Sequence, residues 1–195
     1  MISRSDEHAL IRRAKAGDGE AVAALIRAHQ EALYAFMLRM SGRPDVAEDI
    51  VQEAFVRVLK NLDRFDSNFR FSTWVFTIAK RLYVNVLQKQ RPIYDSDAVG
   101  MHIGLGQTPG AISADSEARD NMRSLLDVAL EGLSDQQREI VLLFHQQSWP
   151  ITEIALHLDM PEGTVKSHLH RARKRMKRII ESNPVTHLQA QEAWQ

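Results

Sequence analysis

Between Thr164 and Ile180 the chain carries seven basic residues, Lys166, Arg171, Arg173, Lys174, Arg175, Lys177 and Arg178, and no acidic one. Cations at this density have one chemistry open to them, the binding of a polyanion. A second basic stretch, from Arg70 to Arg91, holds five more (Arg70, Lys80, Arg81, Lys89 and Arg91), again without an acid and interleaved with aromatic residues. The whole chain is nevertheless formally neutral, 25 Lys and Arg against 25 Asp and Glu, so charge of the two signs is segregated along it. Bond-making chemistry leaves no comparable mark. Eight histidines supply no His-x-x-x-His pair with a partnering Glu, and there is no nucleophile elbow. The glycines of "GLGQTPG" lack both the spacing of a phosphate loop and its following Lys-Ser/Thr. His168 and His170 stand two residues apart, which on a helix turns them about 200° from each other and unsuits them to one metal. Cysteine is absent, which removes disulfides, thiolate nucleophiles and Cys-ligated zinc together. No metal and no cofactor is expected, and the chain is not read as an enzyme.

The elements that must position these residues read as helices. "DVAEDIVQEAFVRVLKNLDRF" places Val51, Ala54, Phe55, Val58, Leu59 and Leu62 on one apolar stripe. Asp45 with Glu48 three residues on has the form of a capping box, and Pro44 marks the entry. Upstream, two helices are broken near Gly17–Gly19; downstream, Phe71, Trp74, Val75, Ile78, Leu82 and Val86 repeat the stripe until Pro92 stops it. These segments predict a helical bundle over residues 1–91. Residues 92–118 carry four glycines, two prolines and no stripe, the composition of a flexible linker. Helical pattern resumes over 119–183. Ser134 with Gln137 forms a second capping-box match, and "ITEIALHL", the break "DMPEG" and the basic segment follow, with Pro161 suited to a first helical position. A helix, a tight turn and a second helix make a helix-turn-helix. Residues 184–195 read as a frayed tail. The predicted class is all-α, two helical domains joined by a linker. The N-terminus has no apolar core of a signal peptide and no run approaches the roughly 20 apolar residues of a membrane span, so a cytoplasmic location is expected.

Geometry orients the basic helix. Val165, Leu169, Ala172 and Met176 fall at i, i+4, i+7 and i+11 and must face a core. Ser167, His170, Arg171, Lys174 and Arg178 then point away, with Lys166, His168 and Arg173 flanking. A helix fits the major groove of B-DNA, where Arg, Lys, Ser and His reach base edges, while the Arg/Lys-rich second half suits phosphates. A solvated cationic face is the plain alternative, which the preceding helix, the turn and the Pro-x-Gly-Thr entry weigh against.

The block "LSDQQREIVLLFHQQSWPITEIALHLDMPEGTVKSHLHRARKRMKRII" resembles region 4 of the bacterial sigma factors of the extracytoplasmic-function (ECF) group. The block "RPDVAEDIVQEAFVRVLKNLDRFDSNFRFSTWVFTIAKRLYVNVLQKQR" resembles their region 2, and the two stand in the family's order. The resemblance implies that Lys166, Ser167, His168, His170, Arg171 and Lys174 read the −35 promoter element. Relatives often carry Arg and an aromatic where this chain has His168 and His170, and a Ser cap where it has Pro150. In region 2 the resemblance implies that Asp49, Gln52 and Glu53 dock on the β′ coiled coil of RNA polymerase, although Glu53 and Arg57, four apart, suit a solvated ion pair equally. The loop "DSNFR" matches the family's pocket for a flipped −10 base, which nominates Ser67, Asn68 and Phe69. Lys80, Arg81, Asn85 and Lys89 on the polar face of the next helix would hold the strand. Trp74 could stack on bases, but it lies on the apolar stripe, which favours the core.

The partners so implied are core RNA polymerase, through its β′ coiled coil and β flap, promoter DNA, and an anti-sigma factor. Two other readings compete: a stand-alone helix-turn-helix regulator that binds promoters without polymerase, and an enzyme. The two matched blocks argue against the first and the missing catalytic motifs against the second.

Overall fold

The computed structural model describes residues 4–67, 69–90 and 114–182. It divides into two compact units, one within residues 1–101 and one within 102–195. Among the described residues every regular element is helical. The stretches read as linker (92–113 of 92–118) and as tail (184–195) lie outside the described residues.

The N-terminal unit contains α1 (Arg4–Lys15), α2 (Gly19–Ser41), α3 (Pro44–Lys60), a 3-10 turn (Leu62–Arg64) and α4 (Phe71–Gln90). The break between α1 and α2 is made by Gly17, at φ 88°, and by Asp18, whose carboxylate accepts from the N–H groups of Glu20 and Ala21. Two of the four orphan donors of α2 are thereby satisfied. At the other end Gly42 takes the left-handed conformation and returns its N–H to the Leu38 carbonyl at 2.8 Å, the usual αL stop. The core takes Ala54, Phe55 and Val58 from the expected stripe of α3, whose Val51 and Leu59 are only partly covered, and adds Ala47 and Ile50, against Leu25, Leu33, Phe36 and Met37 of α2. In α4 the buried face is Phe71, Val75, Phe76, Ala79, Leu82 and Tyr83. Each of the larger apolar side chains among these (Val, Leu, Ile, Phe, Met) contributes about 1.5–3 kcal/mol relative to exposure, and each Ala less. Tyr83 buries its ring and donates its hydroxyl to the Met40 carbonyl at 2.8 Å, fastening α4 to the end of α2.

The start of α3 differs from expectation. Its N-cap is Arg43, which makes no side-chain cap bond, and Pro44 is the first helical residue. Asp45 is therefore already inside the helix and cannot cap it; it pairs with the Arg43 guanidinium instead. That hydrogen-bonded pairing holds the Asp45 carboxyl below its ordinary value.

The C-terminal unit contains α5 (Ala114–Glu131), α6 (Asp135–Val141) continuing into a π-helical turn (Leu142–Gln146), α7 (Ile151–Leu158) and α8 (Glu162–Ser182). Helix α5 begins inside the stretch read as linker, so helical structure sets in before residue 119. The Ser134–Gln137 capping box forms in both directions. Buried Arg138 donates to the carbonyls of Leu130 (3.0 Å) and Glu131 (3.2 Å), closing the C-terminus of α5. Helix α7 starts directly after Pro150, without a side-chain cap. Its entry is secured by Trp149, 5% exposed, whose N–H reaches the Leu143 carbonyl at 3.0 Å and whose ring meets the edge of His157. His157 in turn lies 3.2 Å from the buried Glu139 carboxylate. Asp159, left-handed at φ 52°, ends α7. Helix α8 begins at Glu162, one residue later than expected, because Pro161 gives its carbonyl to the N–H groups of Thr164 and Val165 and acts from the cap position.

Candidate functional site

The outward arc of α8 follows from what α8 buries. Val165 and Ala172 are fully buried and Leu169 nearly so, while Met176 is partly covered. At about 100° per residue these four lie within one narrow arc, and Ser167, His170, Arg171, Lys174 and Arg178 fall on the opposite one. All five are exposed. Lys174 and Arg178 have no ion pair among the described residues, whereas Lys166 is partnered by Glu162 at 3.7 Å and Lys177 by Glu181 at 3.6 Å. Ser167 donates to the Gly163 carbonyl at 2.9 Å and Arg171 to the Ser167 carbonyl at 3.3 Å, so both are folded back on their own helix. His168 sits apart from this group: it is half-buried, with Nδ1 enclosed and without a hydrogen-bond partner among the described residues. Of the six −35 candidates it presents the least to a ligand.

Arg173, a flanking residue by geometry, is held in place. Its guanidinium lies 5.5 Å from the Phe144 ring centroid, and its Nη2 is 3.2 Å from His145 Nε2. The π-helical turn puts Phe144 and His145 side by side on this flank. Burial, then the Arg173 charge, pushes the His145 imidazole below its ordinary value, so the neutral ring accepts from Arg173. No pattern within the basic helix signals this, because the holding residues, His145 and Phe144, lie on another element, His145 standing 28 positions upstream.

In the N-terminal unit the turn after the 3-10 element carries Ser67 and Phe69, both exposed, Phe69 at 52%. Asn68 lies outside the described residues. The turn closes through the Phe69 N–H to the Asp66 carbonyl at 3.2 Å. On either side stand two buried aromatic residues, Phe65 and Phe71, packed on one another and on Trp74 at centroid distances of 5.2 to 6.0 Å. Trp74 thus belongs to the floor of the turn while remaining partly exposed.

The strand-holding candidates on α4 do not form one face. Arg81, Asn85 and Lys89 are exposed and lie within about 80° of one another, but Lys80 points about 180° from Lys89. Lys80 is half-buried and has a partner of its own. Asn85 and Lys89 line a groove with Glu53 and Arg57 of α3, floored by Leu82 and Val86. On α3, Asp49, Gln52 and Glu53 are all exposed and share an arc of about 100°. Glu53 also makes the i,i+4 pair with Arg57, at 2.7 Å. A half-exposed pair of this kind contributes roughly 0–1 kcal/mol, too little to keep Glu53 from a better partner. Among the described residues no cluster of His, Asp or Glu is arranged to hold a metal.

Sequence reasoning missed two residues near the turn. Lys15 of α1 donates to the Asp63 and Phe65 carbonyls at 3.3 and 3.2 Å. Glu7 of α1, 7% exposed, accepts from the Phe71 N–H at 3.4 Å and lies 3.2 Å from Nε2 of His29, itself buried. The His29 contact is close but not aligned as a hydrogen bond. Burial lifts the Glu7 carboxyl, and the nearby His29 with the Phe71 N–H more than offsets it, leaving the group below its ordinary value. Neither residue is flagged by spacing or charge run.

Comparison with known proteins matches both units. Residues 25–93 match the family Sigma-70 region 2, and residues 123–176 match Sigma-70, region 4. The chain is similar to the ECF RNA polymerase sigma factor SigW of Bacillus subtilis (strain 168), 31% identical over 177 residues that span 87% of this chain and 94% of that one. It is similar to the ECF RNA polymerase sigma factor SigL of Mycobacterium tuberculosis (strain ATCC 25618 / H37Rv), 30% identical over 175 residues, 87% of this chain and 97% of the relative. Among solved structures it resembles the sigma factor RpoE of Bartonella quintana, crystallised with the anti-sigma factor NepR, at TM-score 0.68 and 26% identity over 83% of this chain and 97% of that one. The basic arc of α8, Arg178 excepted, lies in one matched block, the acidic arc of α3 and the aromatic-floored turn in the other, and the chain belongs to the ECF RNA polymerase sigma factors.

Proposed function

We propose that the chain directs core RNA polymerase to a promoter by dividing recognition between its units. The C-terminal unit reads −35 duplex DNA through Lys166, Ser167, His170, Arg171 and Lys174, with His168 as a marginal contributor. The N-terminal unit captures the unpaired −10 strand at Ser67, Asn68 and Phe69, with Lys80, Arg81, Asn85 and Lys89 of α4 holding its backbone. The arc of Asp49, Gln52 and Glu53 meets the basic β′ coiled coil of polymerase, where complementary charge speeds docking and fixes register. Extracting a base from the duplex costs a few kcal/mol, and specific capture in the turn offsets it. Bonds are made by the polymerase. The single observation that carries this reading is the exposed basic arc of α8 standing opposite its own buried stripe.

An anti-sigma factor is a further proposed partner, supported by the fold shared with the Bartonella quintana sigma factor that was solved with one. The chain is proposed to act in the cytoplasm, where polymerase works; among the described residues no helix is long and apolar enough to cross a membrane.

The test is in vitro transcription from a pool of bacterial promoter fragments, using core polymerase with and without the protein. Start sites that appear only with the protein support the proposal, and their shared upstream sequence names the promoter. Specific duplex binding by the free protein, with no added transcripts, would instead support the stand-alone regulator.

A further inference from the structure

The turn proposed to capture the −10 strand is fastened at both ends by one helix that lies outside the matched region 2 block, which begins at residue 25. Lys15, on the last turn of α1, holds the entrance: its ammonium donates to the carbonyl of Asp63, inside the 3-10 turn, and to that of Phe65, which follows it and leads into Asp66. Glu7, two turns earlier on α1, holds the exit: its carboxylate accepts from the Phe71 N–H, the first residue of α4. The segment between the two fastenings, Asp66 to Arg70, carries Ser67 and Phe69.

Neither fastening is what stability alone would select. Ordering an exposed lysine costs up to about 2 kcal/mol of side-chain entropy, which consumes most of what its two bonds to neutral carbonyls return. Burying a carboxylate and an imidazole is likewise no better than a well-packed apolar pair. What both contacts achieve is position. A carboxylate at the N-terminus of α4 satisfies an orphan donor and complements the helix dipole there, fixing where the turn ends. The lysine fixes where it begins. Phe65 and Phe71, the aromatic residues beneath the turn, are the residues whose backbones are held.

We infer that α1 is a splint for the strand-capturing turn, with Lys15 and Glu7 as positioning residues that set its geometry for an unpaired base. The inference rests on the proposed role of the turn and adds to it a helix and two residues to which that role assigns nothing.

The experiment uses holoenzyme assembled from core polymerase and the full chain, and a fluorescein-labelled single-stranded oligonucleotide carrying the −10 sequence recovered by the transcription assay. Lys15→Met keeps the aliphatic stem and removes both donors; Lys15→Arg keeps donors. Lys15→Met is expected to weaken oligonucleotide capture roughly tenfold, the equivalent of one charge-assisted hydrogen bond, with polymerase affinity, −35 duplex binding and thermal midpoint unchanged. Lys15→Arg is expected to restore most of the capture. A purely structural lysine would shift polymerase affinity or the midpoint in step with capture, and that result overturns the inference. Undiminished capture by Lys15→Met overturns it too, while leaving the turn's role standing. Failure of the unaltered holoenzyme to bind the oligonucleotide would overturn that role and the splint with it. Glu7→Gln, which retains an acceptor for the Phe71 N–H, is expected to lose less capture than Glu7→Leu; equal capture by these two would remove Glu7 from the account.

Discussion

In the C-terminal unit the proposed reading surface is the reverse side of its own anchor. Helix α8 buries Val165, Leu169 and Ala172, and helical geometry alone then sends Ser167, His170, Arg171 and Lys174 outward. In the N-terminal unit the candidate reading surface is a turn, which has no reverse side of its own to bury. Its backbone is held by Lys15, 48 and 50 residues away in sequence, and by Glu7, 64 residues away. A helix that meets duplex DNA needs only to be rigid and correctly rotated. A turn that receives a single extruded base needs its backbone placed from outside. The difference between local and borrowed positioning makes the two units vulnerable to different changes.

The sharpest way to break the comparison is at the aromatic floor. Phe71→Ala is expected to cost about 3–5 kcal/mol, since Phe71 is 1% exposed and contacts Phe65, Trp74 and His29. Amide hydrogen exchange should show protection lost across α1–α4 and retained across α6–α8. Loss across both units would show that they do not keep their stability separately. Next in size is Arg171→Ala, expected to weaken −35 duplex binding by about 1–3 kcal/mol in a fluorescence titration and to leave polymerase affinity as it was. The double change Asp49→Ala with Glu53→Ala should do the reverse by about 1 kcal/mol, seen as slower, less salt-sensitive association with polymerase. If either variant lost both activities while remaining folded, the division of labour between the units would be wrong.

The smallest expected effect separates the units by pH. His145 has its imidazole pushed down, so below the ordinary 6.5 the unfolded chain binds a proton that the folded unit resists. Its contribution is present above 6.5 and is lost as pH falls from there through the folded value. Glu7 is also depressed, from 4.5; its contribution is present above 4.5 and is lost as pH falls through the folded value. The C-terminal unit should therefore begin to weaken at a higher pH than the N-terminal unit. Region-resolved exchange across pH 3–7 checks this. His145→Gln should remove the upper limb, and Glu7→Gln should shrink the lower one, to which the depressed Asp18 and Asp45 carboxyls also contribute.

Legibility in the sequence follows the same division. The buried stripe and outward arc of α8 were readable because both are set by residues three and four apart. The stripe of α3 and the Ser134–Gln137 capping box were readable for the same reason. The Asp45–Glu48 spacing alone fits a capping box, but Pro44, fixed near helical φ, is the first helical residue after Arg43 and places Asp45 inside the helix. The sequence reading puts Lys80, Arg81, Asn85 and Lys89 on one polar face of α4, whereas rotation about the helix separates Lys80 from Lys89. The fastenings by Lys15 and Glu7, and the anchoring of Arg173 by His145, could not be read. Each joins residues tens of positions apart through a single side chain, and no periodicity records such a pairing.

Gly132 gives α8 a mechanical property. A side chain there would begin 2.2 Å from the Ile179 δ-methyl, so Ile179 nests against bare backbone at the α5–α6 junction. Helix α8 has 21 residues and is about 31 Å long. Its first half rests on Val165, Leu169 and Ala172, and its far end on this second support. It is thus a beam held at both ends and not a cantilever, and Lys174, Arg175, Lys177 and Arg178 lie on the supported span. Electrostatic load from a phosphate backbone along that span bends it far less than it would a free end, so cations several turns apart keep their registration with one another when the polyanion pulls on them.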